Sequence, residues 1–277
     1  MYTFIKNLIP TKTFLRIKYF KRFRQFLSFK SPIGFNEKIN YLKINDDYEI
    51  KSDLQDKLKV KNHVANLIGE EYIVKTLKIL DINSSFKEQL VDFKTFVIKT
   101  NFESGKVYFC ENKSNFDFDN VQQKILKSYS EKFYMHGREF HYKRIEKQTF
   151  AEELLIDYRN LLDYKFYCFD GIPHFVHIDR DRYQSHKRSF YDMSFKKINN
   201  LSIEYEYDKI QFKKPNNFNA MVEICHKLSK GFKFVRIDLY DHNDKVYFGE
   251  VTFYPESGFG RFSEKKYDII FGNLIKL

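Results

Sequence analysis

Hydrophobic and polar residues alternate most regularly near the C-terminus, in two short runs. The runs cover residues 234–240 and 246–253, and a period of two is typical of a strand with one buried face. Asn243-Asp244-Lys245 stands between them and suits a three-residue hairpin loop, because Asn and Asp tolerate the left-handed backbone that such loops need. The pattern therefore predicts an antiparallel hairpin.

Counting from Asp244 gives the register of this hairpin. Asp238 is then opposite Glu250, and Arg236 is opposite Thr252, with the Cβ atoms of opposed residues about 5 Å apart on one face. Two opposed carboxylates repel unless a proton or a metal ion lies between them, and hard oxygen ligands suit Mg²⁺ that holds phosphate. The hairpin is interpreted as a nucleotide–metal site, and the alternative is a surface hairpin with a charged outer face.

The rest of the chain mixes helical patterns with a second hairpin, which predicts an α+β fold. Helices are predicted over 52–67, with Ser52 as a cap and Gly69 as the end, and over 116–131 and 217–230. A strand is predicted over 91–100. The second hairpin pairs 164–169 with 174–178 around Asp170-Gly171, which is a strong turn signal.

Composition limits the class of protein. A chain of 277 residues with 43% hydrophobic and 31% charged residues is globular and can bury the core of one large or two small domains. No apolar run is long enough to span a bilayer, and no signal peptide is evident. The three cysteines are isolated, which favours a reducing compartment and predicts a cytoplasmic protein.

Positive charge is concentrated at the N-terminus. Residues 1–30 contain eight Lys or Arg and no acid, within a net charge of +11. Aromatic and aliphatic residues separate these charges, as in amphipathic segments that lie on anionic membranes. The sequence predicts a basic N-terminal helical segment that holds the protein at the inner face of the membrane. The alternative is a helix that packs on its own domain and exposes a basic face.

A second candidate site follows the strand that ends at Thr100. This strand carries Lys99 and leads into a loop with Ser104 and Gly105, where lysine charge and backbone N–H groups can bind phosphates. The loop is not a Walker A sequence, and no GxGxxG follows a strand, which disfavours P-loop and Rossmann folds. A surface lysine before a turn is the alternative.

Several short motifs follow one another from about Phe35 to the C-terminus. They are Phe35-Asn-Glu-Lys-Ile-Asn40, Gly69-Glu-Glu-Tyr72, Phe96-Val-Ile-Lys99, Gly137-Arg-Glu-Phe-His-Tyr-Lys143, Ala151-Glu152, Asp163-Tyr-Lys-Phe166, Val235-Arg-Ile-Asp-Leu-Tyr240 and Phe248-Gly-Glu-Val-Thr-Phe253. In this order they resemble the ATP-grasp superfamily and, within it, the teichuronopeptide-biosynthesis (TupA-like) branch. The resemblance implies an ATP-grasp fold, in which two α+β lobes hold a nucleotide between antiparallel sheets. The expected regions are the basic segment 1–31, a first lobe within 32–155, and a second lobe with the metal hairpin over 156–277.

The resemblance also implies roles for particular residues, with ATP and Mg²⁺ as cofactors. The residues expected at the nucleotide are Lys99, Ser104, Gly105, Glu152 at the adenine, and Lys165. The expected magnesium ligands are Asp238, Glu250 and Thr252, where the superfamily usually has Asn. The residues expected to act in catalysis are Arg236, Lys165 and Lys99.

One position departs from the branch. Phe102-Glu103 stands where the branch usually has His-Gly, in the loop that folds over the phosphates. A glutamate there puts negative charge near ATP, so we expect a displaced loop or altered activity.

The implied activity is that of an ATP-dependent ligase that forms a carbon–nitrogen bond between a carboxylate and an amine through an acyl phosphate. Branch members occur with cell-surface polysaccharide genes, so the expected partners are an amine or amino acid and a uronic-acid glycan or lipid-linked saccharide. Basic residues expected at the acidic substrate are Arg138, His141, Lys143, Arg182, His186 and Arg188. Two alternatives stay open: a glycosyltransferase of capsule or lipopolysaccharide synthesis with Asp179 and Asp181 on a metal, and an inactive nucleotide-binding or basic binding protein. Nucleic acid is not an expected partner.

Overall fold

The computed structural model describes residues 8–155, 158, 161–180 and 186–277. The helices in this part are α1 (Thr11–Phe23), α2 (Phe35–Asn45), α3 (Tyr48–Gln55), α4 (Lys59–Ile68), α5 (Phe86–Gln89), α6 (Phe118–Ser130), α7 (Tyr134–Gly137), α8 (Phe218–Ser229) and α9 (Lys265–Leu274). The strands are β1 (Thr76–Leu80), β2 (Phe96–Thr100), β3 (Val107–Cys110), β4 (Thr149–Glu152), β5 (Asp163–Phe169), β6 (Ile172–Arg180), β7 (Lys187–Asp192), β8 (Lys197–Ile198), β9 (Glu206–Tyr207), β10 (Phe234–His242) and β11 (Lys245–Thr252). This mixture of helices and largely antiparallel sheets confirms the α+β prediction.

The chain divides into two compact units that alternate along the sequence. The first contains the described residues of Met1–Asp47, Gly137–Glu139 and Leu162–Leu277, and the second contains those of Tyr48–His136 and Phe140–Leu161. Each contains one sheet, so we call the first the large-sheet unit and the second the small-sheet unit. The functional regions 1–31, 32–155 and 156–277 stay a prediction.

The small-sheet unit contains four antiparallel strands in the order β1-β4-β2-β3. One face of this sheet packs Phe96 and Ile98 against Phe86 from α5 and Ile125 from α6. The opposite face carries Lys99 and Glu152, because the alternation of side chains along a strand separates them from the apolar set. The core therefore fixes which way these two charged residues point.

The large-sheet unit contains seven strands in the order β11-β10-β5-β6-β7-β8, with β9 parallel to β7. One face is apolar, and α8 covers it: the Phe166 ring on β5 lies 5.7 Å from the Phe218 ring of α8. The other face changes along its strands from an aromatic cluster, where Phe35 and Phe271 pack, to a group of charged residues. Packing of the aromatic half therefore holds in place the strands that also carry the charged residues.

The C-terminal hairpin has the predicted register for a reason that the sequence did not reveal. Its turn has two residues, Asn243 and Asp244, both with positive φ, so His242 pairs with Lys245 and the predicted three-residue loop is wrong. An extra residue, Gly249, then interrupts the ladder and shifts the pairing by one position. The shorter turn and the bulge compensate, so the predicted pairs Asp238–Glu250 and Arg236–Thr252 are confirmed.

The bulge requires glycine. A Cβ atom at Gly249 would lie 3.0 Å from the backbone oxygen of Asp238 and 3.0 Å from the Tyr240 ring. These contacts are tighter than packed side chains normally tolerate. A larger residue at this position would therefore disturb the register of the two carboxylates.

The helix prediction over 52–67 is wrong, because the structure has two helices there. The carboxylate of Asp56 accepts hydrogen bonds from the backbone N–H groups of Leu58 (2.9 Å) and Lys59 (3.3 Å), which starts a new helix at α4. Ser52 lies inside α3 rather than at its N-terminus, whereas Gly69 ends α4 with a φ of 119° as expected. The strand predicted over 91–100 is shorter and covers only β2.

The other predicted elements are confirmed. The helices over 116–131 and 217–230 correspond to α6 and α8. The Asp170-Gly171 hairpin is formed by β5 and β6, with both turn residues at positive φ. An extra residue, His174, interrupts the ladder in the returning strand.

The N-terminal helix α1 packs on the large-sheet unit. Leu15 and Tyr19 are buried with Leu27 and Phe259 in a small apolar cluster. Arg22 strengthens this contact through an ion pair with Glu204 (2.5 Å) and a hydrogen bond to the backbone oxygen of Phe259. In the part of the chain that the structure describes, no helix is both long enough and apolar enough to cross a membrane.

Candidate functional site

Asp238 is the centre of the charged half of the large sheet. It is fully buried, and the guanidinium of Arg236 donates to both of its oxygens, at 2.7 and 2.8 Å. Lys165 on the neighbouring strand donates to Oδ2 at 2.5 Å. Burial alone would raise the pKa of Asp238, but Arg236 and Lys165 outweigh it and hold this pKa below its usual value. Asp238 is therefore an ionised, rigidly held carboxylate.

Glu250 and Thr252 lie beside this group on β11. The Arg236 guanidinium donates to Glu250 Oε1 at 3.3 Å and to the Thr252 hydroxyl at 3.1 Å. The Thr252 hydroxyl lies 3.2 Å from the same Glu250 oxygen. The Glu250 side chain is 31% exposed, so the face reaches solvent at this residue.

Carboxylates are concentrated in this cluster. Lys165 also forms an ion pair with Asp163, at 2.5 Å. Among the residues that the structure describes, the three carboxylates of Asp163, Asp238 and Glu250 contact the two cations Lys165 and Arg236. Carboxylates gathered in this way can also bind a metal cation.

Tyr167 and His177 mark the boundary between the charged and aromatic halves of the face. Both are fully buried, and the Tyr167 hydroxyl has no hydrogen-bond partner among the residues that the structure describes. Burial raises the pKa of Tyr167 to about 12, and burial, with Arg188 nearby, lowers the pKa of His177 well below its usual value. Both side chains are therefore neutral at pH 7.

Arg188 organises a second ion network on the same face. It forms a two-pronged pair with Asp179, at 2.6 and 3.1 Å, and contacts Glu256 at 3.2 Å. His186 lies 3.2 Å from Asp179 and stacks on Tyr205. The structure thus brings together two predicted substrate residues, Arg188 and His186. Asp179, one of the two metal ligands expected in the glycosyltransferase alternative, is paired with the Arg188 guanidinium. The other, Asp181, lies outside the described residues.

A strained turn presents Glu256 to Arg188. Glu256, Ser257 and Gly258 all have positive φ, at 48°, 54° and 66°, which is costly for the two non-glycine residues. Side chains of α2 hold the carbonyl groups of this segment: Lys43 donates to Ser257 at 2.6 Å and Asn40 donates to Gly258 at 2.7 Å. Asn40, which ends the motif Phe35-Asn-Glu-Lys-Ile-Asn40, therefore helps to hold the turn that carries Glu256.

The small-sheet unit contains a second group of charged residues around Glu152. Lys99 and Lys61 each form an ion pair with one oxygen of this carboxylate, and the Lys61 contact measures 3.0 Å. Burial alone would raise the pKa of Glu152, but Lys99 and Lys61 hold it below its usual value. Two of the predicted nucleotide residues, Lys99 and Glu152, are thus in contact, and the two lysines leave one positive charge in excess.

The loop with Phe102-Glu103 is built into the small-sheet unit. Phe102 is buried against Tyr142 and Ile145. Glu103 is also buried; its carboxylate accepts a hydrogen bond from the Thr100 hydroxyl (3.0 Å) and pairs with Lys106 at 2.9 Å. The negative charge that departs from the branch pattern is therefore largely neutralised, and Ser104 and Gly105 are exposed at the tip of the loop.

The remaining predicted substrate residues have varied environments. Arg138 belongs to the large-sheet unit, where its guanidinium lies 4.5 Å from the centre of the Phe14 ring. His141 and Lys143 belong to the small-sheet unit; His141 is buried and Lys143 is exposed. Arg182 lies outside the described residues.

The donor set of the large sheet fits magnesium as a partial site. No group of three or more His, Cys, Asp or Glu in the described part of the chain is arranged to hold a metal. Mg²⁺ commonly binds one or two carboxylates and completes its shell with water and substrate phosphates. Asp238 Oδ1 accepts a hydrogen bond only from Arg236 among the described residues, and Glu250 is partly exposed, so these two carboxylates can supply protein ligands of that kind.

The family of the chain follows from its sequence pattern. Residues 37–276 match the family described as TupA-like ATPgrasp. The chain belongs to the TupA-like ATP-grasp family. This confirms the resemblance carried by the short motifs, and with it the predicted ATP-grasp fold.

Solved structures that resemble the chain are ATP-grasp proteins of low sequence identity. D-alanine–D-alanine ligase from Bacillus anthracis is 14% identical over 79% of this chain and 59% of its own, with a TM-score of 0.38. The Helicobacter pylori D-alanine–D-alanine ligase is 14% identical over 88% and 64%, with a TM-score of 0.39. The ATP-grasp ligase PsnB, in a complex with a precursor variant, Mg and ADP, is 9% identical over 79% and 56%, with a TM-score of 0.41. The chain spans less than two thirds of each of these proteins. No curated protein matches it.

Several residues of the two charged groups were not predicted as site residues. Lys61 lies on α4, far in sequence from Glu152, and no motif marks it. His177 was missed as a site residue because the bulge at His174 places it opposite Lys165, whereas simple counting from the Asp170-Gly171 turn would place Val176 there. Asp163 alternates with Lys165 on one strand, and this shared face was the available signal.

Proposed function

We propose that this ATP-grasp protein is an ATP-dependent ligase that joins a carboxylate to an amine. Family membership supports the use of ATP, and the observation that carries the proposal is the pair of carboxylates, Asp238 and Glu250, on one sheet face. Such a cluster suits the magnesium of a nucleotide. Bound Mg²⁺–ATP would supply a γ-phosphoryl group to the carboxylate substrate and so form an acyl phosphate.

The residues of the large sheet would position the reacting groups rather than react covalently. Phosphoryl transfer depends mainly on alignment and on neutralising charge. Asp238 and Glu250 would hold the metal, and Lys165 would contribute positive charge toward the phosphates. Arg236 is held by Asp238 and Glu250, so it offers a fixed guanidinium for a phosphate or acyl oxygen.

The small-sheet residues would bind nucleotide phosphate. Lys99 and Lys61 share the single carboxylate of Glu152, so an anion that approaches this group meets an unbalanced positive charge. Glu152 would orient the two ammonium groups, in addition to the adenine contact expected from the resemblance. The exposed backbone at Ser104 and Gly105 supports a second phosphate contact.

For the carboxylate substrate we propose an acidic glycan, such as a uronic acid of a cell-surface polysaccharide or its lipid-linked precursor, and for the amine an amino acid or other amine. The net charge of +11 favours the approach of polyanions. His186 and Arg188 both contact Asp179, and we assign them to positioning the acidic substrate. The cytoplasm, where ATP is available, is the proposed location.

The test is ADP release measured across pairs of uronic acids and amino acids, with mass spectrometry of the product. A pair that is a substrate should give ADP together with a product that has lost one water and contains an amide. Asp238→Asn should abolish both signals. The conservative turn variant Asp170→Asn is the control, because Asn also tolerates the positive φ at that position. ADP release that needs a nucleotide sugar and yields no amide would contradict the proposal.

A further inference from the structure

The N-terminal helix α1 has two different faces. Its inner face is already covered, because Leu15 and Tyr19 pack with Phe259 and Leu27 in the large-sheet unit. Arg22 ties the end of the helix to Glu204. These contacts mean that the apolar inner face is not available to a partner while the unit stays folded.

The outer face exposes hydrophobic residues. Ile17 is 44% exposed and Phe20 is 39% exposed, and they lie three positions apart on one side of the helix. Phe26, just beyond the helix, is 86% exposed and stacks on Phe20 with ring centres 5.2 Å apart. We call these three residues the phenylalanine patch. A stacked and exposed aromatic pair of this kind marks an interaction site more often than a single exposed apolar residue does.

Basic residues surround the phenylalanine patch. Arg16, Lys21 and Arg24 are exposed beside it, and the exposed Lys12 and Lys30 lie nearer the two ends of the segment. The described residues 8–30 include no Asp or Glu. Glu204, which pairs with Arg22 at the end of the helix, comes from another part of the chain. An apolar patch on a segment with many basic residues and no acids is complementary to the headgroups and acyl boundary of an anionic membrane.

We propose that the phenylalanine patch binds an anionic membrane surface while α1 stays docked on its own unit. Phe20 and Phe26 enter the interface between headgroups and acyl chains, and Arg16, Lys21 and Arg24 contact lipid phosphates. This differs from an N-terminal segment that leaves the domain and lies in the membrane by itself, because the inner face of α1 remains buried. The inference does not rest on the ligase proposal, since binding needs neither nucleotide nor substrate.

The experiment is co-sedimentation of the full chain with vesicles, in the absence of nucleotide. We expect binding to phosphatidylcholine vesicles that contain phosphatidylglycerol, and little binding to phosphatidylcholine alone. Phe20→Ser with Phe26→Ser should weaken binding about tenfold or more, because two aromatic side chains no longer enter the interface. Arg16→Gln with Lys21→Gln should weaken it about fivefold per charge and reduce its dependence on salt.

Matched controls separate insertion from general exposure of apolar residues. Ile172 and Ile270 are 51% and 44% exposed in the same unit, and Ile172→Ser with Ile270→Ser should bind vesicles like the wild type. Thermal unfolding of every variant checks that the fold is kept, which is expected because the changed residues are exposed.

Two results would overturn the proposal. In the first, the wild type does not bind anionic vesicles. In the second, the double phenylalanine variant binds them as well as the wild type does; if the charge variant then loses binding, the surface is purely electrostatic, of the kind that also attracts nucleic acid. Failure of the ligase assay would leave the expected vesicle result unchanged, so the two proposals can fail independently.

Discussion

Each unit contains a group of ion pairs, and the two groups differ in composition. In the small-sheet unit, the two lysines Lys61 and Lys99 share the carboxylate of Glu152. In the large-sheet unit, the contacts among the described residues join three carboxylates, those of Asp163, Asp238 and Glu250, to Lys165 and Arg236. A lysine-rich group attracts an anion, and a carboxylate-rich group attracts a cation. We therefore propose that the first group binds phosphate and the second a metal ion.

The two groups are also built differently. In the small-sheet unit, a helix residue and a strand residue reach one carboxylate, and Lys61 is further fixed by hydrogen bonds to Val74 and Thr76. In the large-sheet unit, the groups lie on one face of three neighbouring strands, with Lys165, Asp238 and Glu250 in one row, so the register of the ladder sets their spacing. Substitutions should therefore separate effects on phosphate binding from effects on the metal and on stability.

The largest effect is expected at Asp238. Asp238→Asn removes the charge that both Arg236 and Lys165 pair with, although Lys165 keeps its contact with Asp163 and Arg236 keeps its contact with Glu250. We expect ADP release to fall about a thousandfold and the free energy of unfolding to fall by about 3 kcal/mol. Steady-state kinetics and urea denaturation measure the two quantities. If the variant turned over ATP at a tenth of the wild-type rate or faster, Asp238 would not be a metal ligand.

A smaller effect is expected in the small-sheet unit. Lys99→Met and Lys61→Met each remove the excess positive charge, so the KM for ATP should rise about tenfold or more. Lys61→Met should also lower stability, by about 1–2 kcal/mol, because it leaves buried partners without donors. Lys78→Met is the matched control, since Lys78 is exposed on the same sheet. An unchanged KM in both folded variants would contradict the assignment of this group to phosphate.

Acid should destabilise the protein through the same carboxylates. The pKa of Asp238 is lower in the folded protein than its usual value of 3.8. At a pH between the folded and the unfolded pKa, the unfolded chain therefore binds a proton that the folded chain does not. Stability from this group is complete above pH 4 and is lost as the pH falls through the folded value. Urea denaturation at several pH values should give the wild type a steeper loss below pH 4 than Asp238→Asn. Parallel curves would argue against the ion pairs.

The smallest effect is expected at Glu103. Glu103→Gln releases Lys106 from its ion pair but keeps an oxygen for the Thr100 hydroxyl. If the loop contacts phosphate, the KM for ATP should fall about threefold, in the range of a single partly exposed ion pair. Glu131→Gln serves as the control, because Glu131 lies 3.9 Å from the same lysine and is more exposed. A rise in KM for Glu103→Gln would mean that this carboxylate itself supports the nucleotide site.

Alternation and turn signals were sufficient to predict much of the fold. The hairpins formed by β5–β6 and β10–β11, and the helices α6 and α8, follow from periodic patterns with clear ends. The break between α3 and α4 was missed because Asp56 starts a helix within a pattern that is continuously amphipathic. Local capping chemistry can interrupt a helix without changing its hydrophobic period.

The site was predictable in part. Asp238, Glu250, Arg236 and Thr252 share a face through local pairing, so counting along one hairpin found them. Lys61 and Glu256 reach their partners through tertiary packing and a strained turn, and neither has a local signature. Bulges are the other limit: the one at Gly249 compensated for a turn that was predicted one residue too long, whereas the one at His174 hid the position of His177.

The most direct test of the contrast between the lysine-rich and the carboxylate-rich group is the effect of Mg²⁺ on ADP binding in the wild type and in Glu250→Gln, measured by calorimetry with Mg²⁺ and with EDTA. Glu250 is 31% exposed, so this variant should fold normally. We predict that Mg²⁺ tightens ADP binding in the wild type. In Glu250→Gln, the increase in affinity that Mg²⁺ causes should be about tenfold smaller, while the affinity in EDTA should be unchanged. An equal gain from Mg²⁺ in both proteins would contradict the assignment of the metal to the large sheet.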